Sequence, residues 1–174
     1  MKEAGCFLLF FGIDSGSDKI LKIMNKGFTS EQASKTLKES SEAGIKNIIF
    51  LMPGYPHETV EDIIQTKEFI KKNKRYICST FIFKFSLTYG SPMYYNPEKF
   101  GVTNLRESSN FHFGFVFDEC EGLPWEQKQK QQQYSQRQIE KTISKYTRFK
   151  NILFYWFMLF RLIIVKIKNI CSLI

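Results

Sequence analysis

The polar residues with the most chemical potential in this chain sit where apolar runs end. In "FFGIDSGSDKILKIMNKG" the run closes on Asp14, Ser15 and Ser17, with Gly12 and Gly16 among them. A carboxylate there can accept from a ligand amine or from hydroxyls, the serines can donate, and the glycines allow close backbone approach. The same residues also read as a simple N-cap and turn. A second group, "MPGYPHETVED", leads from Met52, Pro53 and Gly54 into His57, Glu58 and Thr59. Its two prolines and glycine make a rigid turn, and the helix N-terminus beyond faces whatever lies above it. Glu58 also reads as a dipole complement, and His57 as a surface loop residue. The third group, "FSLTYGSPMY", is shaped by Gly90 and Pro92 and lined by Tyr89, Tyr94 and Tyr95, which suit packing at least as well as binding.

Strands and helices must position these groups, and the first 85 residues alternate between them. "CFLLFFGI" is continuously apolar, as expected of a strand buried on both faces. "SDKILKIMNKG" predicts a short helix with Ser17 as N-cap, Ile20, Ile23 and Met24 on one face, and Gly27 as the stop. "TSEQASKTLKESSEAG" predicts a longer one, with a Thr29–Gln32 capping box, Ala33 and Leu37 facing one way, and Gly44 at its end. "IKNIIFLM" is a second buried strand. "TVEDIIQTKEFIKKNK" is a helix capped by Thr59, with acids in its first turn and lysines in its last, and "RYICSTFIFKFSL" is a third strand. Crossovers of this length imply parallel pairing, in a barrel or a doubly wound sheet. Three strands cannot close a barrel, and left open they expose an edge on either side.

After Phe85 the pattern changes. "TYGSPMYYNPEKFGV" reads as a loop across the sheet end, and "HFGFVF" as a short edge strand. "WEQKQKQQQYSQRQIEKTISKY" predicts an exposed polar helix, with a low-complexity linker as the alternative. In the tail, the fourteen residues Ile152–Val165 are apolar apart from Arg161. That is short of the roughly eighteen needed for a clean membrane span. The flanking lysines and the Tyr155–Trp156 pair suit an interfacial helix, and a packed or anomalous tail is equally allowed.

At 174 residues, with 43% hydrophobic and 16% aromatic content, the chain is not a disordered one. Its net charge of +8 is concentrated in "KEFIKKNKR" and beyond Lys128, which points to anionic membrane, nucleic acid or simple solvation. The four cysteines are scattered, with no C-x-x-C and no histidine at zinc-finger spacing. No secretory signal opens the sequence, so a reduced cytoplasmic setting is expected, with membrane association through the tail as an option.

Taken together, "GIDSGSDKILKIMNKGFTSEQASKTLKESSEAGI", "GYPHETVEDIIQTKEFI" and "FSLTYGSPMY" resemble, in order and spacing, the second half of a radical S-adenosylmethionine enzyme. The likeness is closest to the group that carries an N-terminal cobalamin-binding domain, and it covers about residues 5 to 101. Such proteins typically read Glu-Ser-Gly-Ser at the first site, Pro-Gly-Glu-Thr at the second and a Gly-Ser/Thr-Pro loop at the third. The resemblance implies a partial (β/α) barrel of three parallel strands with crossover helices, followed by a mostly α-helical C-terminal extension. The expected division is 1–101 for the barrel half, 102–150 for an extension with the polar helix, and 151–174 for the apolar, basic tail.

By position, the resemblance places Asp14, Ser15 and Ser17 against the amino group or ribose of S-adenosylmethionine, and Met52, Pro53 and Gly54 against its adenine. Glu58 and Thr59 would fix the loop and cap the helix. Two departures stand out: Asp14 is one methylene shorter than the family's Glu, and His57 replaces a glycine, which predicts a different turn. The family's C-x-x-x-C-x-x-C, which binds the [4Fe–4S] cluster, does not occur in the chain and would lie upstream of Met1. Without it the family's reductive cleavage is not expected to run on this chain alone. The leading expectation is therefore a fragment or split half of a radical S-adenosylmethionine enzyme, completed by a partner that holds the cluster, with cobalamin in the full-length relative. A non-enzymatic protein anchored to a membrane surface by residues 151–174 comes second, and a nucleic-acid binder, unsupported by any RNA-binding signature, third.

Overall fold

The computed structural model describes residues 1–108, 114–120 and 122–146. Strand β1 (Leu8–Asp14), helices α1 (Asp18–Ile23) and α2 (Ser30–Glu42), β2 (Lys46–Leu51), α3 (Val60–Asn73) and β3 (Ser79–Ile82) alternate as the sequence predicts. Local chemistry sets their ends. Thr29 with Gln32 and Thr59 with Asp62 form reciprocal capping boxes, which satisfy backbone donors at the starts of α2 and α3. The strands form one parallel sheet in the order β1-β2-β3, with Phe10 opposite Ile48 and Ile48 opposite Ser79. Among the described residues, β1 and β3 each have a neighbour on one side only.

The two faces of this sheet differ. On one, Ile13, Ile49 and Leu51 pack with Leu37 of α2 and Ile63, Phe69 and Ile70 of α3. On the other, the rings of Phe10 and Phe50 stack with centroids 5.8 Å apart, and Phe81 and Phe83 lie 5.7 and 5.8 Å from Phe50. Phe10 and Phe83, at the two margins of this aromatic face, remain 57% and 56% exposed. Continuous apolar runs are what parallel strands need when both faces are to be covered; on the aromatic face Ile48 is buried, while the margins at Phe10 and Phe83 stay open.

The extension is helical in part. Between β3 and the helix over residues 125–146 it holds β4 (Leu87–Thr88), α4 (Pro92–Tyr95), a 3₁₀ turn (Pro97–Phe100), β5 (Val102–Glu107) and β6 (Gly114–Glu119). These strands make a small antiparallel sheet in the order β4-β6-β5. The described part of "HFGFVF", from Gly114 on, therefore belongs to the central strand rather than an edge, because β4 and β5 flank it. The sheet packs its own apolar cluster of Leu87, Val102 and Phe117 with Met93, Tyr55 and Ile20. β3 is also shorter than the apolar run suggested.

Helix α5 (residues 125–146) corrects the exposed-helix expectation. Lys128, Gln132, Ser135, Ile139, Thr142 and Ile143 are all buried, on the three- and four-residue spacing of one helix face. Its later turns join the main core through Ile139 and Ile143. The tail, Cys171 included, lies outside the described residues, and so does the expectation of a membrane-surface helix. Among the described residues no helix is long and apolar enough to cross a membrane.

Gly16 marks the tightest approach between the β1–α1 loop and α3. A Cβ there would fall 2.6 Å from the Thr66 Cα and 2.7 Å from the Phe69 Cβ. Gly16→Ala should cost about 1–3 kcal/mol, typical of overpacking, read as a lower urea midpoint with an unchanged slope.

Candidate functional site

The candidate site is the rim formed where β1 and β2 end. Pairing slips between Gly12 and Asp14, so the strand bulges at its last turn, and Asp14 lies in the left-handed region at φ 65°. Aspartate tolerates this conformation better than most residues, and bulges commonly re-aim a side chain beside a site. The Asp14 carboxylate accepts a 2.6 Å hydrogen bond from the Lys26 ammonium. The same ammonium is 3.6 Å from where a Cβ on Gly12 would be, so Lys26 lies across the glycine. Met52 joins this rim, its N–H donating to the Asp14 carbonyl at 2.8 Å.

Ser15 and Ser17 lie beside Asp14 in sequence, yet their hydroxyls turn away into the protein. The Ser15 hydroxyl is 3.3 Å from that of Thr66 and accepts from the Ser17 N–H, while the Ser17 hydroxyl donates to Asp62 at 2.7 Å. Both serines are buried. Ser17 occupies the N-cap position of α1, but its side chain makes no cap bond. Asp62 also accepts from Lys19 at 2.6 Å and from the Thr59 N–H and hydroxyl. Burial pushes the Asp62 carboxyl up, but the bonds from Lys19, Ser17 and Thr59 outweigh it and hold the carboxyl below the usual range. The serines thus fasten the first loop to α3.

Pro53 and Gly54 are buried in the second turn. A Cβ on Gly54 would overlap the Gln132 Cγ, so the glycine admits α5 rather than opening a surface. This is where the polar stripe of α5 is satisfied. Lys128 donates to the Tyr55 carbonyl at 3.0 Å, Gln131 to that of Glu58 at 2.7 Å, and Gln132 to that of Gly54 at 3.0 Å. The ammonium of Lys128, wholly buried, also pairs with Glu119 of β6 at 2.6 Å. Glu58 is buried too, and accepts from the Gly54 N–H at 2.7 Å. Burial raises its pKa to about 7, against the Gly54 bond and the charge of Lys128.

His57, where the family has glycine, adopts φ 64°, the left-handed conformation that a glycine takes without cost. Its N–H donates to Glu119 at 3.2 Å, and its Nε2 lies 3.1 Å from the Phe100 carbonyl. These bonds offset the strain and tie the turn to the small sheet. Sequence reasoning missed Lys26, Lys128, Gln131 and Gln132 as partners of the two loops. For Lys26 the signal was its place one residue before the helix-stopping glycine. For the α5 residues it was the three- and four-residue spacing of long polar donors.

No group of three or more His, Cys, Asp or Glu able to hold a metal ion occurs among the described residues. Cys6, Cys78 and Cys120 are widely separated in sequence, and the chain contains no C-x-x-x-C-x-x-C, so its residues do not fit an iron–sulfur cluster. The rim is a better match for an amino-acid-bearing ligand, since Asp14 and Lys26 offer one anion and one cation beside apolar Met52.

A parallel α/β unit with polar groups gathered at its strand ends is the class of protein that fold and rim define. Residues 1–70 match the family model of the radical SAM superfamily. An uncharacterized methyltransferase of Pyrococcus horikoshii is 38% identical over 72 residues, 41% of this chain and 16% of that protein. A putative methylthiotransferase of Methanocaldococcus jannaschii is 44% identical over 62 residues, covering 36% and 14%. The tRNA-2-methylthio-N(6)-dimethylallyladenosine synthase of Mycobacteroides abscessus is 31% identical over 106 residues, covering 59% and 20%. The matched stretch is thus a fifth or less of the length of each of these relatives.

Glu58 generates a pH prediction. Its native pKa of about 7 lies above the 4.5 of a free glutamate, so the native state keeps a proton that the unfolded state has lost. Stability should therefore fall as pH rises from about 4.5 through about 7. Glu58→Gln keeps an acceptor for Gly54 without the charge and should flatten this decline, by up to about 3 kcal/mol, in urea melts at pH 5 and pH 8.

Proposed function

We propose that this chain supplies three strands of a radical SAM barrel and the rim that faces S-adenosylmethionine, and acts only when joined to a segment holding the remaining strands and the cluster. The supporting observation is the sheet's aromatic face, with Phe10 and Phe83 more than half exposed at its two margins. Burying one such side chain is worth roughly 1.5–3 kcal/mol, so covering both is comparable with a large part of a domain's net stability. A face of stacked phenylalanines between two one-sided strands fits the interior of an incomplete barrel.

On this reading Asp14 receives the α-ammonium of the cofactor, and Lys26, displaced from Asp14, meets its carboxylate. Met52 and Pro53 offer apolar contact to the adenine. Ser15 and Ser17 hold the rim in place from behind, and Gly54 serves by admitting Gln132. A cluster held elsewhere would supply the electron for reductive cleavage of the sulfonium of a cofactor bound at this rim. The completed enzyme would carry out methyl or methylthio transfer, the reactions for which the relatives are named. Cobalamin would belong to another part of such an enzyme.

The test is complementation. Co-expression with a candidate segment carrying the cysteine motif should give a complex that forms 5′-deoxyadenosine, whereas either piece alone should give none. Turnover by the isolated chain would refute the proposal. In the complex, Asp14→Asn should weaken S-adenosylmethionine binding by about tenfold or more in equilibrium dialysis, the loss of roughly one charge-assisted bond.

A further inference from the structure

The fold gathers positive charge that the sequence spreads over seventy residues. Helices α3 and α5 run side by side in the same direction. Gln131, in the second turn of α5, reaches the Glu58 carbonyl just before α3, and the Lys74 ammonium at the end of α3 lies 4.7 Å from the centre of the Tyr146 ring at the end of α5. Between their later turns is a groove of about 370 Å³, walled by Lys67 and Lys71 from α3 and by Lys141 and Lys145 from α5, with Tyr146 at its end. No acidic residue lines it. Each wall carries its two lysines four residues apart, or ~6 Å along the helix axis, so cations face one another at two successive levels. Among the described residues Lys67, Lys141 and Lys145 make no ion pair, while Lys71 pairs with the exposed Glu68 at 2.5 Å. The groove lies ~12–18 Å along α3 from the Thr59 cap, away from the Asp14 rim.

We propose that this groove binds the phosphodiester backbone of a single-stranded nucleic acid. Cations repelling one another across a narrow channel need a continuous anion to neutralise them, and a strand of phosphates fits lengthwise where a flat lipid surface cannot enter. Lysines rather than arginines suit contact with the backbone over bidentate reading of bases. The aromatic ring at the end of the groove separates this ligand from an acidic peptide, because an unstacked base packs on such a ring while charged side chains gain little from it. A neighbouring groove on the other side of α3, lined by Lys35, Lys38, Lys72 and Arg75, contains Glu31 and so is less uniformly cationic.

The experiment is fluorescence anisotropy of a labelled mixed-sequence 12-nucleotide RNA with the full chain, between 50 and 200 mM salt. Changing Lys67, Lys71, Lys141 and Lys145 together to Gln should weaken binding more than tenfold at the lowest salt. It should also reduce the slope of log affinity against log salt by about 0.7 for each phosphate that is no longer neutralised. A variant with Lys35, Lys38, Lys72 and Arg75 changed to Gln loses the same charge and should bind within about threefold of the parent. Circular dichroism verifies that both variants fold. No binding by the parent, equal weakening in the two variants, or lysine-dependent binding to phosphatidylserine vesicles but not to RNA would each overturn the proposal.

Discussion

A parallel sheet must exclude water from both faces, and in β1-β2-β3 one face is packed under helices while the other stays open at its margins. Much of the rest of the molecule follows from that asymmetry. Helices α2, α3 and the later turns of α5 cover the face that carries Ile13, Ile49 and Leu51, giving a core with Leu37 and Ile70 at its centre. The opposite face keeps its phenylalanines stacked on one another, which shelters Phe50 in the middle better than Phe10 and Phe83 at the margins. Among the described residues β1 and β3 each pair on one side, so the exposed rings lie along the sheet's edges. Further strands on either side would cover both at once.

The second organising feature is the turn after β2. Its backbone carbonyls at Gly54, Tyr55 and Glu58 point into protein rather than solvent and need donors. Three long side chains of α5 provide them, which is why a helix so poor in apolar residues is nonetheless docked. His57 and Glu119 bind the same turn to the small antiparallel sheet. The turn therefore joins three bodies: the parallel sheet through β2, the small sheet through β6, and α5. A loop with that many fixed partners holds the adjoining rim in one geometry.

Sequence patterns exposed the first half of the fold because its signals are local. Capping boxes at Thr29 and Thr59, the stop at Gly44 and unbroken apolar runs each encode an element without reference to distant residues. The extension was less legible because its elements depend on partners far along the chain. Whether "HFGFVF" is an edge or a centre is decided by β4 and β5, and the docking of α5 by carbonyls some seventy residues earlier. At the site, Asp14 was readable from its place at a strand end, whereas its pairing with Lys26 needed the bulge and the left-handed backbone that only the structure reveals. Ser15 and Ser17 illustrate the reverse: polar residues beside a site that face α3 instead.

The enclosure of Lys128 has an experimental consequence. Amine-reactive reagents need a solvent-facing, neutral amine, and this one is fully covered and held by Glu119 and the Tyr55 carbonyl. In a covalent footprint read by mass spectrometry, Lys130 would be modified while Lys128, two positions away, stayed silent. Its labelling would then act as a clock for detachment of the last helix.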